Sequence, residues 1–308
     1  MGARILVCDK LPAEAIDRMR KTGLSVDVQT DLSRETLLAT IPPYAAAVVR
    51  STTKITREAI AAGTSLRFIA RAGVGMDNVD TAAAKERGIE VANTPTATAI
   101  SVAELAIGLL FALARSLPRA HASTAAGGWD KKNLEGIELS GKTLGLVGFG
   151  AIAKETAERA KALGMHLIVN RKRQAVEDAQ IQRLEIEMHS LDSLLARSDF
   201  VSLHVPFSLS TKHLIGAAQI AKMKKNAFLV NCARGGVVDE AALAAALREG
   251  RLAGAAVDVF EEEPVERENP LLSAPNVILT PHIGASTREA QLRAGLEVAD
   301  LVIRFFTK

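Results

Sequence analysis

Short apolar runs rich in β-branched residues alternate with longer amphipathic segments along the whole chain. The short runs have strand length and the amphipathic segments helix length, which is typical of βα units around a parallel sheet. In the N-terminal third the pattern predicts strands at Ile5–Cys8, Val26–Val28, Ala46–Val49, Phe68–Ala70 and Ile89–Ala92. Helices are predicted between them, for example at Ala13–Lys21 and Thr81–Arg87. The predicted fold class is α/β.

A second set of strands follows a long helical stretch, Val102–Arg115. This helix is predicted to open at Ser101, and Glu104 three residues later gives the spacing of a capping box. Beyond it the pattern predicts six strands, at Thr143–Val147, His166–Val169, Phe200–His204, Ala227–Asn231, Ala255–Val259 and Val277–Thr280. Six parallel strands with helical crossovers suit a doubly wound domain that binds a nucleotide.

The last helical segment, Ser286–Phe306, follows the final predicted strand. A chain of 308 residues is long enough for two cores. We therefore expect this helix to return to the first domain. One domain would then comprise residues 1–97 plus 285–308, and the other residues 98–284.

Composition argues against several classes of partner. The chain is 48% hydrophobic and 24% charged, and its net charge is only +3, which is ordinary for a folded protein. Aromatic residues make up 4%, so few rings are available to stack on bases, and no nucleic acid partner is expected. The longest near-apolar stretch, Leu105–Ala114, has about half the length needed to span a bilayer. No membrane span and no metal site are predicted.

The two cysteines, Cys8 and Cys232, both lie in short apolar stretches far apart in the chain. They are predicted to be reduced thiols and not a disulfide framework. The apolar run near the N-terminus is too short for the core of a signal peptide. A cytoplasmic location is expected.

A glycine-rich turn follows the predicted strand that ends at Val147 and opens a helix predicted at Ala151–Leu163. A strand, a turn of this type and a helix form the context of a dinucleotide-binding fingerprint, in which the helix N-terminus holds the pyrophosphate. Gly148 permits the tight turn, Gly150 lets the backbone approach the phosphates, and Ala151 and Ile152 open the helix. The alternative is an ordinary glycine-rich βα turn.

The next strand runs into Asn170, Arg171, Lys172 and Arg173, where enzymes that use NAD usually carry an acidic residue for the ribose hydroxyls. Cations there suit a 2′-phosphate. Asn170, Arg171 and Arg173 are therefore predicted to bind the cofactor, and NADP is favoured. NAD remains possible, since a solvated basic loop has the same composition.

Three ionisable residues follow three predicted strands, at the edge where open parallel sheets bind ligands. Arg234 lies just after Ala227–Asn231, Glu263 a few residues after Ala255–Val259, and His282 two residues after Thr280. A histidine exchanges protons near neutral pH, a carboxylate can orient its ring, and an arginine can grip a substrate carboxylate. Taken singly, each also has an ordinary structural explanation.

Several ordered segments resemble the D-isomer-specific 2-hydroxyacid dehydrogenase family, most of all its D-3-phosphoglycerate dehydrogenases. Besides the glycine-rich turn, they are Val49–Ser51, Arg71–Asp80, Asn231–Gly236, Asp258–Phe260 with Glu263–Pro264, and Pro281–Ala285. The resemblance implies a Rossmann dinucleotide-binding domain inserted in a flavodoxin-like substrate domain. It also implies hydride transfer between a nicotinamide dinucleotide and a small 2-hydroxy or 2-oxo acid.

The resemblance also implies roles for individual residues. Arg234, Glu263 and His282 match the catalytic residues. Residues matched to the cofactor site are Asp258, near the nicotinamide carboxamide, with Val205, Cys232, Ala233 and Gly284. Residues matched to the substrate site are Arg50, Ser51, Arg71, Val74 and Gly75, the last two through backbone amides.

The resemblance leaves the substrate open. Arg50 and Arg71 match positions that reach the phosphate of 3-phosphoglycerate, whereas Arg171 is more similar to the NADP-linked glyoxylate and hydroxypyruvate reductases. Because the sequence ends at Lys308, no C-terminal regulatory domain is expected. A homodimer through the Val102–Trp129 region is expected. A corepressor that senses a dinucleotide is the alternative from another class, because fold alone does not determine function.

Overall fold

The computed structural model describes residues 2–172 and 178–307. The chain divides into two compact units, one of residues 1–99 with 285–308 and the other of residues 100–284. The division expected from the sequence differs by two residues at the first junction. The assignment of substrate and cofactor to the two units stays a prediction.

The strands are β1 (Arg4–Val7), β2 (Ser25–Val28), β3 (Ala46–Val49), β4 (Phe68–Arg71), β5 (Glu90–Asn93), β6 (Thr143–Val147), β7 (His166–Asn170), β8 (Glu187–Met188), β9 (Phe200–Leu203), β10 (Phe228–Asn231), β11 (Gly254–Val257) and β12 (Val277–Leu279). The helices are α1 (Ala13–Arg20), α2 (Arg34–Thr40), α3 (Arg57–Ala62), α4 (Thr81–Glu86), α5 (Ala99–Ala114), α6 (Leu117–Ala125), α7 (Ala151–Ala162), α8 (Ala179–Arg183), α9 (Leu191–Arg197), α10 (Ala217–Ile220), α11 (Glu240–Arg248) and α12 (Arg288–Phe306). Short 3₁₀ turns lie at Lys131–Asn133 and Pro270–Ser273.

Local sequence explains where many of the helices begin. A Ser, Thr or Asp side chain accepts a backbone N–H from the first turn, which satisfies a donor that the helix leaves open. These capping residues are Ser33, Thr56, Asp80, Asp178, Ser190, Asp239 and Thr287.

The first unit contains a five-stranded parallel sheet in the order β2-β1-β3-β4-β5. This is the flavodoxin-like order that was expected. Successive residues of β1 point to opposite faces, so that Ile5 and Val7 belong to one buried cluster and Leu6 to another. α12 packs beside α1 on the first of these faces, which completes this unit with the C-terminal helix.

The second unit contains a seven-stranded parallel sheet in the order β12-β11-β10-β9-β6-β7-β8. The order reverses between β6 and β9, as in Rossmann domains, where dinucleotides bind at this reversal. The predicted count of six strands is wrong, because β8 pairs with β7 over two residues only. Two residues are too few to produce a detectable alternation.

α5 also differs from the expectation. It begins at Ala99, so Ser101 lies inside the helix and does not precede it as a cap. Leu109 and Leu110 of this helix are buried in the core of the second unit. Within the residues described, no single helix has the length and hydropathy to cross a membrane, and α5 with α6 passes that test only as a pair bent by 63°.

Candidate active site

One row of paired residues aligns the carboxyl ends of the central strands of the second unit. Val147 of β6 pairs with Leu203 of β9, Leu203 with Asn231 of β10, and Asn231 with Val257 of β11. Val257 pairs in turn with Leu279 of β12. Because neighbouring strands lie about 4.8 Å apart, the residues that follow these ends line one edge of the sheet.

The glycine-rich turn lies at the point where the strand order reverses. Gly148 has φ +95°, a conformation that disfavours other residues, and a Cβ there would collide with the carbonyl oxygen of His204. Gly150 caps α7 and has open space around it. Ala153, in the first turn of α7, is fully buried, so a small residue is required there. The turn therefore offers glycine-lined space and a helix N-terminus to an anion.

The charged and polar side chains at the end of β7 form ion pairs and hydrogen bonds with other residues of the protein. Arg171 is 13% exposed, and its Nη1 lies 3.6 Å from Oδ2 of Asp178. Nζ of Lys154, in the first turns of α7, lies 2.8 Å from the same oxygen. The Lys154 hydrogen bond holds the pKa of Asp178 below its usual value, against the effect of burial. Asn170 donates its side-chain amide to the carbonyl of His189.

Arg173, also predicted to bind the cofactor, lies outside the described residues.

The segment after β10 folds back on itself. Asn231 Oδ1 accepts the backbone N–H of Ala233, and Asn231 Nδ2 donates to the carbonyl of Arg234. Arg234 Nη1 donates to the carbonyl of Ala233 at 2.6 Å. A Cβ at Gly235 would overlap the carbonyl of Phe260, so this segment packs directly on the turn after β11.

Glu263 and His282 form a hydrogen-bonded pair. His282 Nδ1 lies 2.8 Å from Glu263 Oε2, and both side chains are partly open to solvent. The other carboxylate oxygen, Oε1, accepts the backbone N–H of Phe260 at 3.1 Å. Since Nδ1 is engaged, Nε2 is the ring nitrogen that remains for a substrate.

Asp258 holds the turn that carries His282. Its carboxylate is buried; Oδ1 accepts from the hydroxyl of Thr280 at 2.6 Å and from the N–H of Ile283 at 2.9 Å. Oδ2 accepts the N–H of Gly284 at 2.9 Å. His282 has φ +53°, an unfavourable conformation for a residue with a side chain, and its own N–H donates to the carbonyl of Asp258. The sequence indicated Asp258 but not this use of its carboxylate.

Burial also determines the protonation of neighbouring groups. It raises the pKa of the Cys232 thiol well above its usual range, and the nearby charge of Asp258 acts in the same direction. It lowers the pKa of His204 to about 4, so this imidazole is neutral at pH 7. Neither group is suited to proton exchange near neutrality.

In the first unit, the predicted substrate residues lie on two connected segments. The carboxylate of Asp9 accepts the N–H of Arg50 and both the N–H and hydroxyl of Thr53. Nε of Arg71 donates to the carbonyl of Arg50 at 3.2 Å, which brings two cationic residues together. Asn78 donates to the same carbonyl at 3.0 Å. Sequence reasoning missed Asp9 and Asn78, because their contribution is to the backbone of another segment.

The remaining predicted substrate residues are Ser51, Val74 and Gly75. Ser51 is exposed, and Val74 and Gly75 are partly buried beside β4. The carbonyl of Val74 accepts the side-chain amide of Asn93 at 2.5 Å.

Comparison with known proteins identifies the family. Residues 107–284 match the D-isomer specific 2-hydroxyacid dehydrogenase, NAD binding domain. The chain is 48% identical over 304 residues to the hydroxypyruvate reductase of Thermotoga maritima, covering 98% of this chain and 97% of that protein. It is 50% identical over 299 residues to the D-3-phosphoglycerate dehydrogenase of Methanocaldococcus jannaschii, covering 97% of this chain and 56% of that protein.

A solved structure agrees. The crystal structure of a glyoxylate reductase from Paecilomyes thermophila superposes with a TM-score of 0.90 at 33% identity, covering 100% of this chain and 96% of that one. The chain belongs to the D-isomer-specific 2-hydroxyacid dehydrogenase family. It spans little more than half the length of the phosphoglycerate dehydrogenases that it resembles.

Proposed function

We propose that the protein is a D-2-hydroxyacid dehydrogenase that transfers hydride between a nicotinamide dinucleotide and a small 2-hydroxy or 2-oxo acid. The observation that carries this proposal is the Glu263–His282 hydrogen bond, at the sheet edge where Arg234 also follows a strand. The bound dinucleotide supplies the hydride acceptor or donor. Gly148 and the start of α7 would hold its pyrophosphate, and Val205, Cys232, Ala233, Asp258 and Gly284 would line the nicotinamide side.

The acid–base chemistry follows from this geometry. When a hydroxy acid is oxidised, Nε2 of His282 takes the hydroxyl proton, and in reduction it returns that proton to the oxygen. Glu263 holds Nδ1 and keeps the ring oriented toward the reacting oxygen. Arg234 binds the substrate carboxylate, because its planar guanidinium matches that group in a bidentate arrangement.

The test uses wild type, His282→Ala and His166→Ala with a panel of 2-oxo acids, and follows the loss of reduced-nicotinamide absorbance. His282→Ala should lower kcat by about a hundredfold or more without changing cofactor affinity. His166 is an exposed histidine at the start of β7, the opposite end of the strand, so its variant should keep full activity. Unchanged turnover in His282→Ala would refute the assignment.

We further propose that NADP is preferred over NAD. Arg171, just after β7, and Lys154 of α7 both lie beside the carboxylate of Asp178, and this excess of two cations over one anion supports the binding of a 2′-phosphate. Hydrogen bonds to charged groups are worth about 1.5–3 kcal/mol each, so one such bond favours NADPH by about tenfold to over a hundredfold in kcat/KM. Arg171→Asp should reverse the ratio, whereas Arg183→Asp, on the exposed face of α8, should not. A wild-type preference for NADH would contradict this proposal.

Among substrates, we propose that phosphohydroxypyruvate and 3-phosphoglycerate are used in preference to hydroxypyruvate and glyoxylate. The support is the contact between Arg50 and Arg71, in which Nε of Arg71 donates to the backbone carbonyl of Arg50, because two neighbouring cationic residues would attract a phosphate. Relatives with each of these activities have similar identity, so the comparison does not decide. Arg71→Gln should lower kcat/KM for the phosphorylated acid far more than for hydroxypyruvate, with Arg67→Gln as control. Equal losses for both acids would favour the unphosphorylated substrates.

A homodimer is also proposed. Exposed apolar side chains are concentrated in and after α5 and α6, where Phe111 is 39%, Leu117 50% and Trp129 83% exposed. Exposed apolar side chains of this kind are common at interaction surfaces, and two-fold dimers are the commonest assemblies. Light scattering at micromolar concentration should give twice the chain mass. A monomer mass there would remove the proposal.

The protein is proposed to work in the cytoplasm. Cys8 and Cys232 are both buried free thiols, which suits a reducing compartment. A fluorescent fusion with the full-length protein, compared with cell-fraction markers, tests this location.

A further inference from the structure

Glu240 is a buried carboxylate that the proposed chemistry does not use. It is the first residue of α11 and is only 9% exposed. An acidic residue in a first turn stabilises a helix through its dipole, but this effect does not require the side chain to be buried. The burial of this side chain therefore calls for another explanation.

The carboxylate binds the segment that follows β11. Oε1 of Glu240 accepts the backbone N–H of Glu261 at 2.7 Å. Oε2 accepts the side-chain amide of Asn269 at 2.5 Å. Asn269 is itself held in place, because its Oδ1 accepts the N–H of Leu271. Glu240 thus binds both ends of the segment 261–269, within which Glu263 lies.

The contact at Glu261 is close to the proposed acid–base pair. The neighbouring N–H, that of Phe260, donates to Oε1 of Glu263, and Oε2 of Glu263 binds His282. The carbonyl of Phe260 meets Gly235, next to Arg234. The turn 260–263 therefore contacts both the segment that carries Arg234 and the ring of His282.

We propose that Glu240 is a positioning residue: it anchors the turn 260–263 to the start of α11 and thereby places Glu263 against His282. This inference rests on the proposed function. Glu240 does not touch the ring, and it acts on it only through the backbone of residues 260 and 261. It is distinct from the helix cap, which is made by Asp239 through the N–H of Ala242.

Asp239 provides a matched control. Asp239→Asn removes one negative charge from the adjacent position, and asparagine caps helices about as well as aspartate. Glu240→Ala removes a charge as well, but it also leaves the N–H of Glu261 and the amide of Asn269 without their acceptor. Any effect of net charge alone appears in both variants. An effect that comes from displacement of the turn 260–263 appears only in Glu240→Ala.

We expect Glu240→Ala to lower kcat by about ten- to a hundredfold, since misplacement of a catalytic group by about 1 Å has effects of that size. The KM for the cofactor should stay within about twofold, because the glycine-rich turn is not involved. Asp239→Asn should match wild type in both constants.

Exchanging the hydrogen-bond donor and acceptor between residues 240 and 269 tests whether the hydrogen bond, and not only the packing of the side chain, places Glu263. In Glu240→Gln the side-chain amide group must face one of two donors, so one hydrogen bond is lost. In the double variant with Asn269→Asp, one carboxylate oxygen at residue 269 accepts the new side-chain amide at residue 240. The other oxygen still accepts the N–H of Leu271, and the net charge equals that of wild type. The double variant should recover most of the kcat lost in Glu240→Gln.

The histidine side-chain NMR spectrum gives a readout that does not depend on the substrate. The resonance of His282, assigned by its loss in His282→Ala, should shift in Glu240→Ala and not in Asp239→Asn. If wild type turns over no 2-oxo acid, the proposed function fails, and the resonance alone decides the inference. Suppose that Glu240→Ala unfolds at a lower temperature but keeps the His282 resonance of wild type and, where the enzyme is active, the wild-type kcat. Glu240 then only stabilises the fold, and the inference is overturned.

Discussion

Replacing Asp258 by Asn tests how the turn that carries His282 is held. The carboxylate accepts three hydrogen bonds, two at Oδ1 and one at Oδ2. An asparagine oriented to keep Oδ1 would bind Thr280 and Ile283 as before. Its NH₂ group would then face the N–H of Gly284, so one hydrogen bond to a charged acceptor is lost.

The size of the effect follows from this count. One hydrogen bond to a charged group contributes about 1.5–3 kcal/mol. In a unit of this size, that loss lowers Tm by about 3–12 °C. His282 has a left-handed backbone that needs support from the surrounding turn. If the whole loss appears as poorer placement of its ring, kcat falls about ten- to a hundredfold, at about 1.4 kcal/mol per factor of ten.

The assay compares thermal unfolding and kcat of Asp258→Asn with those of Asp199→Asn. Asp199 accepts the N–H of Thr143 and binds Lys224 at the opposite, amino ends of the strands. Asp199→Asn should lose stability but keep kcat. If Asp258→Asn lowers Tm and leaves kcat near wild type, Asp258 supports the fold without positioning His282, and the reasoning is wrong.

The Asp199 control also has a predictable pH dependence. Although burial opposes it, the hydrogen bonds from Lys224 and Thr143 hold the pKa of Asp199 below its usual value. A lowered pKa in the folded state means that the stabilisation is present above the unfolded value and is lost as pH falls through the folded one. The stability difference between wild type and Asp199→Asn should therefore stay constant from pH 7 to about pH 5 and shrink as the pH is lowered further.

Three further predictions concern Arg234, Gly235 and the thiols. Arg234→Lys should lose about a hundredfold or more in kcat/KM, because a point charge does not reproduce the planar fork, and near-normal steady-state kinetics would contradict this role. Gly235→Ala should lower both Tm and kcat, since its Cβ would overlap the carbonyl of Phe260, and a fully active, equally stable variant would show that the two turns are not in contact. Burial raises the pKa of both thiols, that of Cys8 to about 12, so iodoacetamide at pH 8 should label neither thiol until urea unfolds the chain, as followed by mass spectrometry.

Local features of the fold were predictable from sequence because their causes are local. Alternation of short apolar runs with amphipathic segments located, to within about two residues, eleven of the twelve strands found in residues 2–172 and 178–307. The glycine-rich turn was recognisable for a similar reason, since the backbone requirement at Gly148 is met by one residue type. β8 was missed because it has two residues, and the start of α5 was misplaced because Ser101, a capping residue type, lies inside that helix.

Contacts between distant residues depended on the tertiary structure. The pairing of the strands places the carboxylate of Asp258 within hydrogen-bond distance of the N–H groups of Ile283 and Gly284. No local sequence pattern predicts this contact. Glu240 has the sequence context of an ordinary first-turn acid, yet its partners lie 21 and 29 residues away. Strand propensity and turn chemistry act over a few residues, whereas the partner of a buried polar group is selected by how the strands pair and which loops then meet at one edge of the sheet.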